Sequence, residues 1–269
     1  MTTSTTVDEP RVALVAGASR GIGADTARAF ARAGYAVVVG ARDADSLGLV
    51  VDDIAAHGGH AVAAKTDVGD VESMRALVEL AVASFGRLDA AFNNATDGPM
   101  PSLLAEIDPD AFDIGIRTNI RGTFLGMKFQ IPAMLASGGG AIVNMASVTG
   151  VRAMTNLAVY GAGKAGIIAL TQAAALDYAD RGIRVNVVAP GPILTHHLER
   201  AGADAQRMAA TSVPMGRVGN TTEVADVVLW LCSEQSSFVN GVTLPIDGGQ
   251  LAGFKPPQMY RQGEGMAPT

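Results

Sequence analysis

A chain of 269 residues, 48% hydrophobic and 17% charged, is long enough for one large α/β domain with a substantial core. Its formal net charge of -6 argues against a nucleic-acid surface, and aromatics at 5% leave little for base stacking. A lone Cys232 excludes a disulfide within the chain, and no apolar run approaches the ~18 residues of a membrane span.

Residues 1–10 read as a frayed leader; its polar start lacks an apolar signal core, which points to a cytoplasmic protein. A short apolar strand is expected over 12–16 and a helix over 24–33. Between them lie Gly17, Ser19, Arg20, Gly21, Ile22 and Gly23 in the spacing G-x-x-x-G-x-G. Strand, glycine turn and helix form the context of a phosphate cradle. Glycine lets the backbone approach a pyrophosphate, and the first helical N–H groups face the anion. A second strand is expected over 35–40. An acid at its tip would bind ribose hydroxyls and favour NAD, but Ala41 and Arg42 stand there. Arg42, with Arg20 opposite, suits a 2′-phosphate, so NADP(H) is the expected cofactor and NAD(H) a possible one. Asp43 reads as the N-cap of a helix over 43–57. A third strand over 60–66 ends at Asp67 and Val68, placed to hold an adenine; a plain N-cap role for Asp67 is the other reading.

A helix over 71–85 and a strand over 88–92 follow. Asn93, Asn94 and Ala95 then fall on the sheet edge where ligands bind. Residues 96–102 form a loop, and 103–135 one or two helices. Asn119 lies inside them, a poor interior helix residue unless its side chain has a role. A buried strand over 141–145 precedes Ser147. In the helical pattern over 157–178, Tyr160 and Lys164 are four residues apart and share a face. An ammonium beside a phenol favours the phenolate. Bringing a Tyr from near 10 towards neutrality takes about 4 kcal/mol. Tyr160 would then be a general acid/base, with Ser147 donating to the same substrate oxygen. Gly161, Ala162, Gly163, Ala165 and Gly166 leave one side of this helix bare, which implies close packing by a cofactor or another helix.

A sixth strand over 183–189 is broken by Pro190-Gly191-Pro192. Residues 193–216 read as an irregular, mobile lid. Its His196 and His197 lack a suitably spaced third ligand and read as lid histidines rather than a metal site. Thr221 opens a helix with Glu223 in its first turn. Cys232, on that helix's apolar face, reads as a buried hydrophobe. The last strand spans 242–246, and a Gly/Pro/Met-rich tail runs over 250–269, partly ordered or ordered by a partner chain. Seven strands with six crossovers predict a doubly wound parallel sheet in a single domain over 11–249. This topology gathers the polar features at one rim.

Taken together, Gly17-xxx-Gly21-x-Gly23, Asn93-Asn94-Ala95, Asn119, Ser147, Tyr160-xxx-Lys164, Pro190-Gly191 and Asp247-Gly248-Gly249 resemble the short-chain dehydrogenase/reductase family over nearly the whole chain. The resemblance implies a Rossmann-type fold and reversible hydride transfer between a nicotinamide and a carbonyl/alcohol pair, as in 3-oxoacyl-[acyl-carrier-protein] reductases and related carbonyl reductases. By that resemblance Tyr160 transfers the proton and Ser147 orients the carbonyl. Lys164 binds the nicotinamide ribose and lowers the Tyr160 pKa, and Asn119 holds a relay water. Pro190, Gly191, Ile193 and Thr195 join the cofactor site, Thr195 at the nicotinamide amide. The resemblance also implies a homotetramer, with the helices around Asn119 and Tyr160 and the last strand at its interfaces. Two residues depart from the family pattern: Ala16 replaces a threonine, and Thr96 replaces a glycine that leaves room beside the cofactor.

The expected activity is NADPH-dependent reduction of a ketone such as a 3-oxoacyl thioester, a polyketide or a small cyclic ketone. An NAD-dependent alcohol, sugar or hydroxysteroid dehydrogenase is the first alternative, and a non-catalytic dinucleotide sensor the second. A sugar epimerase or dehydratase is disfavoured for want of a larger C-terminal domain. Val151, Met154, Leu157, Leu194, Met208 and Met215 hint at a hydrophobic ligand.

Overall fold

The computed structural model describes residues 10–253; the expected leader and tail lie outside the described residues, apart from Pro10 and residues 250–253. Seven strands make one parallel sheet: β1 (Val12–Ala16), β2 (Ala36–Ala41), β3 (Ala61–Lys65), β4 (Ala90–Asn93), β5 (Gly140–Met145), β6 (Ile183–Pro190) and β9 (Thr243–Ile246). Their spatial order is β3-β2-β1-β4-β5-β6-β9. A separate short ladder pairs β7 (Ile193–Leu194) with β8 (Gly219–Asn220). The connections include α1 (Gly21–Arg32), α2 (Ala44–Ala56), α3 (Val71–Phe85), α4 (Pro109–Ile116), α5 (Gly122–Ala136), α6 (Val148–Val151), α7 (Ala158–Tyr178), α8 (His196–Arg200), α9 (Gly202–Thr211) and α10 (Thr221–Leu231).

Successive strand residues face opposite sides of the sheet, and here both sides are covered. Ala13, Val15, Val37 and Val39 pack on one side with Phe30 of α1, Leu47 of α2 and Val224 and Val228 of α10. Val12, Leu14 and Val38 pack on the other with Leu77 of α3, Leu125 of α5 and Ala174 of α7. Strands buried on both faces explain why β1 and β2 read as unbroken apolar runs. The chain winds outward in both directions from β1, so the carboxyl ends of β1 and β4 flank the point where the winding reverses, the usual ligand crevice of such sheets.

One polar knot lies in this apolar interior beneath the crevice. Asn93 Nδ2 of β4 donates to Gln130 Oε1 of α5 (3.0 Å) and Asn144 Oδ1 of β5 (2.8 Å), and Asn144 Nδ2 donates to Thr171 Oγ1 of α7 (2.9 Å). Gln130 Nε2 returns a bond to Asn93 Oδ1 at 2.8 Å. All four side chains are buried, so the mutual satisfaction of their amides fixes α5 and α7 against the strands.

Several sequence expectations need correction. The 193–216 segment is not irregular: α8 and α9 occupy most of it, and the β7–β8 ladder pins its start. Part of its mixed charge is helical pairing, Arg207 with Asp204 at i,i+3. The sixth strand runs through Pro190, which sits at its end. The 103–135 stretch does hold two helices, as expected, and divides at a π turn, Arg117–Arg121, centred on Asn119. Asp43 and Asp70 cap α2 and α3 through Ser46 N and Ser73 N, so Asp67 is not the cap of α3. Asp67 instead accepts from Gly69 N and pairs with Arg117 at 2.9 Å.

Candidate active site

The glycine turn leaves β1 at the centre of the sheet. Gly17 adopts φ +90°, and a Cβ there would lie 2.6 Å from Ala95 N. A Cβ on Gly23 would lie 2.1 Å from Gly17 O, so α1 packs directly on the turn. Asn94 Nδ2 donates to Gly17 O at 2.7 Å and ties the end of β4 to the turn. α2, α3 and α4 each begin on an aspartate that accepts from their first N–H groups, but α1 has no capping side chain and no acid in its first turn. Its first-turn donors are thus offered to an anion rather than to a side chain.

In front of this turn is a cavity of about 590 Å³, within the range of small-molecule and cofactor sites. Gly17, Ser19, Arg20, Gly21, Ile22, Arg42, Asp67, Val68, Asn94 and Ala95 line one part of it. Ser147, Tyr160, Lys164, Pro190, Gly191, Ile193 and Thr195 line the other. Every sequence-derived site residue therefore reaches one cavity except three: Gly23 packs behind the turn, Asn93 is buried in the knot beneath it, and Asn119 is fully buried behind the wall. Thr118, Asp97, His196 and His197 also line it. Sequence reasoning missed Thr118, which carries no motif, and reached Asp97 only as part of the 96–102 loop. The two histidines, read as lid residues, reach the cavity from the start of α8. No group of three or more His, Cys, Asp or Glu side chains suited to a metal ion occurs among the described residues.

The bare face of α7 is explained by close packing. A Cβ on Gly163 would lie 3.0 Å from Asn119 Cβ, and one on Gly166 would lie 2.7 Å from Ile120 Cδ1. On α6, a Cβ at Gly150 would lie 2.6 Å from the Lys164 backbone. Of the two readings of the bare face, the chain's own neighbouring helical segments account for these glycines. The packing drives Lys164 wholly into the interior, where its Nζ donates to Met145 O at 3.0 Å. The Nζ is 5.4 Å from the centre of the Tyr160 ring. Ser147, at the N-terminus of α6, is buried and accepts from Thr149 N.

The electrostatics differ from expectation. Burial pushes the Tyr160 phenol above its ordinary value, and the hydrogen bond with the Ser147 hydroxyl only opposes this. Burial likewise pulls Lys164 down to about 7. The lowered phenol expected from the i,i+4 spacing does not arise from the chain's own residues: desolvation is the largest influence on Tyr160. A phenol kept protonated at neutral pH is poised to give a proton.

Thr96, where the resemblance implied glycine, lines the cavity. Its Oγ1 donates to Asn119 Oδ1 at 2.9 Å. Asn119 Nδ2 donates to Asp97 O at 2.7 Å and Gly115 O at 2.9 Å, so both amide N–H groups are used within the protein. Ala16 O, beside the other departure, accepts from Asn94 N and Ala95 N. Of the apolar residues expected to meet a ligand, Leu157 lines the cavity. Val151, Met154 and Leu157 line an adjoining groove of about 260 Å³, whereas Met208 and Met215 are largely exposed and line neither. Cys232 is buried, and desolvation holds its thiol up near 12, as befits a packing residue.

The chain matches known proteins over most of its length. Residues 17–250 match the family model described as enoyl-(acyl carrier protein) reductase. The chain is 42% identical over 238 residues to a cyclohexanol dehydrogenase of Acinetobacter sp. (strain SE19), covering 88% of this chain and 94% of that one. It is 41% identical over 243 residues to an A-factor type gamma-butyrolactone 1′-reductase of Streptomyces virginiae, covering 89% and 95%. The crystal structure of a levodione reductase superimposes with a TM-score of 0.86 at 32% identity, over 91% of this chain and 98% of that one. A crystal structure of a short-chain type dehydrogenase/reductase from Mycobacterium marinum gives 0.84 at 34% identity, over 89% and 95%.

Two outcomes test this site. The Lys164 pKa lies near 7 in the folded protein, below the ~10.4 of an unfolded lysine. Between those values the unfolded chain binds the extra proton, so this contribution to stability rises with pH and is lost as pH falls through 7. Denaturant unfolding at pH 6 to 9 (about one-unit steps) should show the wild type gaining stability relative to Lys164→Met; a pH-independent difference would contradict the buried, depressed lysine. Thr96→Val should lower stability by about 1–2 kcal/mol by removing the donor to Asn119 Oδ1, and Thr96→Ser should retain most of it. Equal stability of the Val and Ser variants would show that the bond carries no weight.

Proposed function

Since the chain belongs to the short-chain dehydrogenase/reductase family of oxidoreductases, we propose that it transfers a hydride between NADP(H) and a ketone or secondary alcohol, with Tyr160 as the proton donor. The observation that carries this reading is the convergence of Ser147, Tyr160 and Lys164 on the same cavity as the uncapped N-terminus of α1. The cradle fits a dinucleotide: the glycine turn admits no Cβ at Gly17, and α1 offers unclaimed donors to a pyrophosphate. When bound, the dinucleotide supplies or accepts the hydride at the substrate carbon.

The chain's own residues do the rest. In reduction the Tyr160 hydroxyl gives its proton to the carbonyl oxygen as that oxygen becomes an alkoxide, and Ser147 orients the same oxygen by a hydrogen bond. The Lys164 ammonium, anchored on Met145 O, stabilises the phenolate that Tyr160 becomes. Oxidation runs the same path backwards. Asn119 acts as a positioning residue: both its amide N–H groups bind Asp97 O and Gly115 O, and its oxygen accepts from Thr96.

The preference for NADP(H) rests on Arg20 and Arg42 at the adenosine end and on the missing acid at the tip of β2. For the substrate we favour a cyclic or otherwise apolar ketone. Two relatives support this by their names, cyclohexanol dehydrogenase and cis-4-hydroxycyclohexanecarboxylate dehydrogenase. The apolar groove at Val151, Met154 and Leu157 supports it by its chemistry. Part-exposed Phe112 of α4 and Phe124 of α5 support an assembly with further copies of this chain.

Tyr160→Phe should reduce NADPH-dependent reduction of cyclohexanone by about a hundredfold or more while leaving NADPH affinity within about twofold. Steady-state rates and nicotinamide fluorescence read the two effects separately. A variant that retains the wild-type rate would remove Tyr160 from the chemistry.

A further inference from the structure

The guanidinium expected to meet a 2′-phosphate is already engaged. Arg42, just past the tip of β2, pairs through Nη2 with Asp97 Oδ2 at 3.0 Å. Asp97 comes from the loop after β4, on the far side of β1 in the sheet, so the pair bridges over the glycine turn. Both residues line the cavity. The carboxylate is held in place. Its Oδ1 accepts from Gly98 N at 2.9 Å, and its backbone carbonyl accepts from the buried Asn119 amide at 2.7 Å. The other carboxylates at this end are committed elsewhere, Asp43 to Ser46 and Asp67 to Arg117. Arg20 makes no ion pair with any of them among the described residues.

This inference rests on the dinucleotide reading above. We infer that Asp97 is a cofactor-specificity residue that opposes the 2′-phosphate of NADP(H) and accepts the 2′-hydroxyl of NAD(H), narrowing the preference for NADP(H). A phosphate approaching Arg42 must displace, or share a guanidinium with, a fixed carboxylate of like charge. A ribose hydroxyl meets an acceptor instead. Asp97 thereby supplies, from a neighbouring loop, the acid that the tip of β2 lacks. Because Arg42 is largely exposed, the effect is modest and screened by salt.

The test is the dissociation constant of NADPH and of NADH for wild type, Asp97→Asn and Asp97→Ala, followed by nicotinamide fluorescence. Asparagine keeps the acceptor that Gly98 N uses, and alanine checks that the amide itself is not the cause. Both variants should bind NADPH about three- to tenfold tighter, with NADH unchanged or weaker, and the gain should shrink at about 0.5 M salt. If wild type binds both nucleotides and neither variant alters their ratio, the role of Asp97 is overturned while the dinucleotide reading stands. If wild type binds neither, both fall.

Discussion

The arrangement depends on one costly contact: a lysine ammonium buried completely and answered by a single backbone carbonyl at the end of β5. Burying a cation is expensive unless it is paired, so the surrounding packing must hold it there. α7 approaches the π turn and α6 so closely that a side chain at Gly150 would meet the Lys164 backbone, and one at Gly163 or Gly166 would press on Asn119 or Ile120. The Asn93–Gln130–Asn144–Thr171 knot ties the same helix to β4 and β5. With Lys164 fixed, Tyr160, one turn earlier, meets Ser147 at the carboxyl edge of the sheet. The glycine turn reaches the same edge because β1 lies next to β4.

Burial also decides the protonation states. It raises the phenol and lowers the ammonium, so the pair is held nearer to neutrality than two exposed groups would be. The ground state this favours is a protonated tyrosine, the form that donates to a carbonyl oxygen. The cation's help comes when charge develops on the phenol during the reaction, in a site where water screens little.

The fold was legible because its signals are local and repeated. Apolar runs at 12–16 and 141–145, glycine or aspartate punctuation, and the four-residue spacing of Tyr160 and Lys164 each rest on short-range chemistry. Most of what escaped was tertiary. The direction of the Tyr160 shift depends on burial that spacing does not reveal. The helices over 196–211 were obscured by mixed charge, part of which is an intrahelical pair. The bond from Thr96 to Asn119 joins residues 23 positions apart. The Arg42–Asp97 pair joins two loops across the sheet, and no motif marks Asp97.

The central claim is that one cavity brings a dinucleotide's nicotinamide to Tyr160. A crystal structure of the protein grown with NADPH tests it most directly. The account predicts the pyrophosphate at the N-terminus of α1, the 2′-phosphate beside Arg20 and Arg42, and the nicotinamide ring next to the Tyr160 hydroxyl. A dinucleotide bound elsewhere, or one whose nicotinamide points away from Ser147 and Tyr160, would contradict it.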